Sequence, residues 1–125
     1  MRASTWLIVS AVSGCVSVVS GALGAHALKT RLAPESLASW GTAAEYQLLH
    51  SVVLLALSLY ADASGRSVNG VCALFLAGIV LFSGSIYWLA LGGPRALGPV
   101  TPLGGLCLIA AWLSLPWLLG SRLDG

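Results

Sequence analysis

The chain has 125 residues, of which 58% are hydrophobic and 8% are charged, and its formal net charge is +2. Soluble domains carry about a quarter charged residues, so this composition excludes a water-soluble fold that covers its own core. The charge is small and scattered, which excludes a nucleic-acid partner and an interaction tail built from a block of like charge.

Four apolar stretches cover most of the chain, at about residues 5–27, 43–61, 69–91 and 102–119. Each approaches or exceeds the ~20 residues with which a helix crosses a hydrocarbon core of ~30 Å. None shows the alternating polarity of a barrel strand. The sequence therefore predicts one all-α domain over residues 1–125, a transmembrane four-helix bundle.

The first stretch resembles the start of an export signal, because Arg2 is followed by "WLIVSAVSGC". Its apolar run continues past Cys15, however, and exceeds the core of a signal, which has about 7–15 residues. We therefore predict a membrane span. Small residues recur at every fourth position and predict close packing against another helix: Ser13, Ser17, Gly21 and Ala25.

The links between the spans carry signals for helix starts and ends. The first link, "LKTRLAPESLASWG", predicts a short interfacial helix with Pro34 in its first turn and Trp40 at headgroup level. Thr42 and Glu45 match a capping box, which would begin the second span, and the alternative for Glu45 is a functional carboxylate. In the third link, glycines end the third span and Thr101 is predicted to cap the fourth.

Polar side chains collect near one side of the membrane, because four spans place the first and third links on the same side. His50 and Ser83 lie about 12 Å below that surface by helical rise. His50 shares a helix face with Tyr46 and Gln47, whereas Glu45 points about 140° away from it. We call this group the polar leaflet and predict that it binds a ligand or partner: His26, Glu45, Tyr46, Gln47, His50, Ser83, Tyr87 and Arg95.

Structural alternatives to these roles stay open. His50 could join the second and third spans by hydrogen bonds, with Ser83 or Tyr87 as its partner. An ionisable group within a membrane also favours a ligand, proton or metal role. Arg95 could pair with Glu45, bind a lipid phosphate or remain solvated.

Four segments carry a family resemblance: "GALGAHALKTRL", "WGTAAEYQLLHSVVLL", "LFSGSIYWLAL" and "LGPVTPLGGLCLIAAW". In order and spacing, they resemble the small integral membrane proteins of domain-of-unknown-function family 423, also called uncharacterised protein family 0382. The resemblance runs from about Gly21 to Trp112. It implies a four-helix multi-pass protein of the bacterial inner (plasma) membrane. It implies no activity, because the family has none firmly assigned.

Our leading functional hypothesis is a non-enzymatic membrane protein that binds a lipid, a small amphiphile or partner helices through the polar leaflet. At this size we expect a homo-oligomer or membership of a larger membrane complex. The first alternative is proton-coupled transport or relay by Glu45 and His50, which the apolar opposite half disfavours. The second is a haem- or metal-binding subunit. Without a serine elbow, a metal-spaced His/Cys set or a phosphate loop, we expect no catalytic residue, no cofactor and no metal.

Overall fold

Four long helices make up the protein in a computed structural model, which describes the backbone of residues 1–123 and the side chains of residues 1–120. They are α1 (Ala3–Ala25), α2 (Pro34–Ser64), α3 (Asn69–Ala90) and α4 (Val100–Leu123). All four spans are long and apolar enough to cross a membrane, and residues 1–123 contain no β-strand. The predicted all-α transmembrane four-helix bundle is confirmed.

The helices bury an apolar core mainly in the half of the bundle that lies nearer the chain termini. α1 packs along α2, and α3 packs along α4. The core residues come from all four helices and the link before α3: Trp6, Leu54, Leu57, Val68, Val71, Cys72, Phe75, Ile79, Leu108 and Ala111. Large apolar side chains such as Ile8 and Leu113 point outward, as lipid contact requires.

α2 is one continuous helix of 31 residues, so the predicted short interfacial helix forms its first turns instead of a separate element. Pro34 begins it, where the fixed φ and missing amide hydrogen of proline are favourable. Thr42 does not cap a new helix, because its hydroxyl donates to the Ala38 carbonyl at 3.1 Å. The predicted capping box is therefore wrong: Thr42 and Glu45 both lie well inside α2.

α3 contains a π turn at Val80–Gly84. Such a turn disturbs the regular α-helical hydrogen bonds. Ser85 follows it and donates its hydroxyl to the Leu81 carbonyl of its own helix at 2.5 Å. α4 approaches the turn so closely that a Cβ atom on Gly104 would lie 2.2 Å from the Phe82 backbone nitrogen. The π turn is thus held in place by direct contact with the backbone of α4.

The third link begins where glycines were predicted to end α3. Gly92 has a φ of 93°, a conformation that favours glycine. A short 3₁₀ turn follows at Arg95–Leu97. α4 then begins at Val100, so Thr101 lies in its first turn instead of capping it. The start of α4 thereby comes to the same side of the bundle as the start of α2 and the end of α3.

Candidate functional site

The predicted site residues divide into a buried group and an exposed group. Gln47, His50 and Ser83 are buried, and Tyr87 is half-buried. His26 at the end of α1, Glu45 on α2 and Arg95 in the third link are exposed. Tyr46 is 44% exposed, and its ring stacks on Phe82 with 4.9 Å between centroids. The polar leaflet therefore exists as a region of the bundle, but its residues do not line one pocket.

Gln47 is the centre of a hydrogen-bond network that joins α1, α2 and α3. Its Nε2 donates to the Ser13 carbonyl at 3.1 Å, and its Oε1 accepts a hydrogen bond from the Tyr87 hydroxyl at 2.8 Å. Ser51 donates to the Gln47 carbonyl at 2.6 Å, and its Oγ lies 2.7 Å from Ser13 Oγ. These groups satisfy one another, so the network ties the spans together in an environment without water.

His50 joins α2 to α4. Its Nδ1 lies 2.6 Å from the Tyr46 carbonyl oxygen, and Trp112 Nε1 donates to its Nε2 at 3.0 Å. A carbonyl only accepts and an indole N–H only donates, so these contacts use a neutral imidazole with its hydrogen on Nδ1. Both ring nitrogens therefore have partners within the bundle.

The predicted partners of His50, Ser83 or Tyr87, are wrong. Ser83 donates to the Ala43 carbonyl at 2.7 Å, and Tyr87 donates to Gln47. Because α2 begins at Pro34, Ala43 lies inside the helix at the depth of Ser83, and His50 lies seven residues further along. The prediction therefore placed Ser83 and Tyr87 of α3 against the wrong turn of α2.

Trp40 is buried, although it was predicted as an anchor at headgroup level. We use the name buried cluster for Trp40, Gln47, His50, Ser83 and Tyr87 together. It is 5% exposed, and its Nε1 donates to the Ser20 carbonyl at 2.7 Å. Its ring contacts Tyr87 at 4.7 Å between centroids, and a Cβ on Gly24 would lie 2.8 Å from its Cδ1. The prediction failed because the first turns of α2 pack against the end of α1. The signal for this packing in the sequence was Gly24, a residue small enough to leave room for the Trp40 ring.

Glu45 lies on the outside of the bundle, in an open groove of about 580 Å³ between α1 and α2. We call this the outer groove; its lining includes Ser17, Gly21, Gly41, Thr42 and Leu48. Among the residues described, Glu45 forms no ion pair, so the predicted contact with Arg95 is not made. Glu45 and His50 also face different surroundings, one the outer groove and the other the interior.

The two histidines do not meet either. His26 is exposed at the end of α1, whereas His50 is 3% exposed and bonded to Tyr46 and Trp112. Within the described part of the chain, no three His, Cys, Asp or Glu side chains lie close enough together to hold a metal ion.

A pocket that was not predicted opens where the start of α2, the end of α3 and the start of α4 meet. We call this cavity of about 390 Å³ the boundary pocket. Its polar lining is Glu35, Ser36, Ser39 and Thr101, and its apolar lining is Ile86, Leu89 and Ala90. The spacing of the two serines and Glu35 on one helix face was a signal for it, but only once residues 34–41 are known to be the start of α2.

Comparison with protein families identifies the family to which the chain is similar. Residues 20–105 match the model of a family described as "Protein of unknown function (DUF423)". The matched region contains most of the buried polar cluster, from Trp40 to Tyr87. No solved structure matches the chain.

Relatives named as UPF0382 membrane proteins align with nearly the whole chain. A UPF0382 membrane protein of Staphylococcus saprophyticus is 40% identical over 110 residues, which are 88% of this chain and 92% of that protein. The UPF0382 membrane protein YwdK of Bacillus subtilis is 38% identical over 112 residues, 88% of this chain and 91% of that protein. A UPF0382 membrane protein of Schizosaccharomyces pombe is 39% identical over 113 residues, 86% of this chain and 94% of that protein. With its four membrane-length helices, the chain therefore belongs to the DUF423 (UPF0382) family of multi-pass membrane proteins.

Proposed function

We propose that this membrane protein binds a lipid or another small amphiphile in the boundary pocket, at the edge of the polar leaflet. The observation that carries the proposal is the division of the pocket lining. Hydroxyl and carboxyl oxygens of Glu35, Ser36, Ser39 and Thr101 form one part, and an apolar wall from α3 forms the other. Ligand pockets typically combine apolar walls with a few polar groups that orient the ligand.

The position of the pocket suits an amphiphile. α2 and α4 begin there and α3 ends there, which supports a place for the pocket where the bundle meets the membrane boundary. A headgroup could remain among the oxygens while its chain follows the apolar wall into the hydrocarbon. A fully water-soluble ligand would gain little from that wall.

The hydrogen bonds of the buried cluster support a ligand site at the surface of the bundle and not between His50 and Gln47. A ligand that entered between those side chains would have to break hydrogen bonds that are already made, at a cost of about 1–3 kcal/mol for each group left unpaired. In this proposal the cluster shapes the pocket indirectly. The Tyr87–Gln47 bond fixes α3 to α2, and the contact between Ser85 and Thr101 hydroxyl oxygens fixes α3 to α4.

Native mass spectrometry of the protein released from lipid nanodiscs tests the proposal. We expect one tightly retained lipid per chain in the wild type. Ser39→Trp places an indole in the pocket and should reduce the retained fraction by about tenfold, a loss of roughly 1.4 kcal/mol of binding free energy.

Ala38→Trp is the matched control, because Ala38 is the neighbouring exposed residue of α2 and lines the outer groove. It should retain lipid like the wild type. Circular dichroism checks that both variants keep their helices. Equal retention by the two variants, whether high or low, would overturn the proposal.

A further inference from the structure

We infer that the boundary pocket selects a primary ammonium group that lies next to a phosphate, the chemistry of an aminophospholipid headgroup. The inference rests on the proposed function and names its ligand class. It follows from the charge, the hydrogen-bond acceptors and the side-chain types of the pocket lining.

Glu35 supplies the charge. It is exposed in the first turn of α2, and among the described residues the pocket lining contains no lysine or arginine. A carboxylate accepts hydrogen bonds and attracts cations, and its bonds to charged donors are the strong ones. A headgroup whose only charge is negative would therefore be repelled.

Thr101 supplies a second acceptor. Its Oγ1 lies 2.5 Å from Ser85 Oγ, and the Ser85 hydroxyl already donates to the Leu81 carbonyl. The hydrogen between the two hydroxyl oxygens must then come from Thr101, since a hydroxyl has one hydrogen to give. Thr101 is left with lone pairs for a ligand. Glu35 and Thr101 can therefore both accept hydrogen bonds from a ligand with N–H donors.

The lining distinguishes a primary ammonium from a quaternary one. A primary ammonium carries three N–H donors, which match the carboxylate and the threonine oxygen. A trimethylammonium group has none, and proteins bind it with aromatic rings. In the part of the chain that the structure describes, the boundary pocket has no aromatic residue in its lining. The geometry therefore favours ethanolamine or serine headgroups over choline.

The remaining polar groups fit a phosphate beside the ammonium. The hydroxyls of Ser36 and Ser39 form no hydrogen bond within the described residues, so both can donate to phosphate oxygens. Among the described residues, no side chain caps the first turn of α2, and such a turn presents free backbone N–H groups. Below these groups, Ile86 and Leu89 offer the surface for the first carbons of an acyl chain.

Binding of three short-chain lipids to the full-length protein in mild detergent tests the inference. The probes are dihexanoyl phosphatidylethanolamine, phosphatidylcholine and phosphatidylglycerol, with calorimetry as the readout. Because hydrogen bonds between charged groups are the stronger ones, the wild type should bind the ethanolamine lipid about tenfold or more tightly than the other two. Glu35→Gln should remove this preference, because it should weaken the binding of the ethanolamine lipid and leave the binding of the other two lipids unchanged.

Glu45→Gln is the control, because it makes the same change in the outer groove and should leave the preference unchanged. O-Phosphoethanolamine, which has the headgroup chemistry without acyl chains, should bind at least about tenfold more weakly than the lipid. Equal binding of this compound would support ammonium selection but assign it to a water-soluble ligand.

Two results would count against the inference in different ways. Saturable binding of all three lipids with equal affinity would overturn the ammonium selection and leave the lipid-binding function standing. An absence of saturable binding for every lipid would overturn both. An unchanged ethanolamine preference in Glu35→Gln would show that another group selects the ligand, which overturns the role assigned to Glu35.

Discussion

At the scale of single residues, hydrogen bonds from one helix to another decide how polar side chains are accommodated in this bundle. The bond from Trp112 Nε1 to His50 Nε2 is one example, since it joins α2 and α4 beside the ring of Phe75. Without that donor, the imidazole would keep its bond to the Tyr46 carbonyl but lose the partner of its second nitrogen. A buried acceptor without a partner is unfavourable in a medium without water.

Trp112→Phe tests the contribution of this bond to stability. It keeps an aromatic ring at the position but removes the N–H, so we expect the free energy of unfolding to fall by about 0.6–1.7 kcal/mol. Thermal or denaturant unfolding in dodecyl maltoside measures the change. Trp117→Phe makes the same substitution on α4 at a residue that is 86% exposed. It should alter stability by less than about 0.5 kcal/mol, and equal losses in the two variants would contradict the assignment.

The sequence predicted which polar residues lie in one half of the bundle but not which atoms they bond. Gln47, His50, Ser83 and Tyr87 could be placed by counting helical rise from the ends of the spans. Their partners depend on the register between helices. The start of α2 was predicted too late in the sequence, so His50 was expected as the partner of Ser83, whereas the partner is the Ala43 carbonyl. Register is set by side-chain packing between helices, which single-helix periodicity does not contain.

At the scale of helices, α4 approaches the π turn of α3 closely at Gly104. Gly104 faces the backbone of Leu81 and Phe82, and not the flexible end of a side chain. A backbone atom cannot move aside by changing rotamer, so any added side chain must push the two helices apart. The contact therefore fixes both the π turn and the spacing of α3 and α4.

Gly104→Ala should destabilise the protein by about 1–3 kcal/mol or more, the usual cost of overpacking. Gly105→Ala is a matched control on the adjacent residue, because its Cβ would meet only Phe82 Cδ2, at 3.9 Å. Melting temperatures of both variants in the same detergent provide the comparison. If Gly105→Ala lowers the melting temperature as much as Gly104→Ala does, helix propensity and not the close approach controls the effect.

The sequence alone predicted the number of helices but not their continuity or their local geometry. Hydropathy and length indicated four spans, because the thickness of the hydrocarbon core restricts the answer. The continuity of α2 was not predicted, since a threonine can either cap a helix or bond back to its own helix, and Thr42 does the second. The π turn was not predicted either, and the residue that approaches its backbone, Gly104, lies about twenty residues away in the sequence.

At the scale of the whole molecule, the four helices place both ends of the described chain on one side of the membrane. The six lysine and arginine residues divide evenly between the two sides. Three belong to the side of the first and third links, Lys29, Arg31 and Arg95, and three to the other side, Arg2, Arg66 and Arg122. The positive-inside rule therefore favours neither orientation, and small changes in charge should decide it.

Lys29→Gln with Arg31→Gln should direct the termini toward the cytoplasm, because three positive residues then remain on their side and one on the other. The opposite variant, Arg2→Gln with Thr30→Lys, should direct the termini outward. C-terminal fusions to alkaline phosphatase and to green fluorescent protein report the orientation in a bacterium. Identical orientation in both variants would show that packing or the insertion machinery, and not charge, determines it.

The length of α2 has a consequence for the membrane around the protein. Its 31 residues extend about 46 Å, well beyond a hydrocarbon thickness of about 30 Å. The first turns, which carry Glu35 and Ser39, are therefore rigidly fixed at a set height relative to the rest of α2. A thicker bilayer would bring acyl chains up to the carboxylate, and a thinner one would leave it in water. Hydrophobic mismatch would then tune how readily lipids reach the boundary pocket, so that occupancy reports the thickness of the surrounding bilayer.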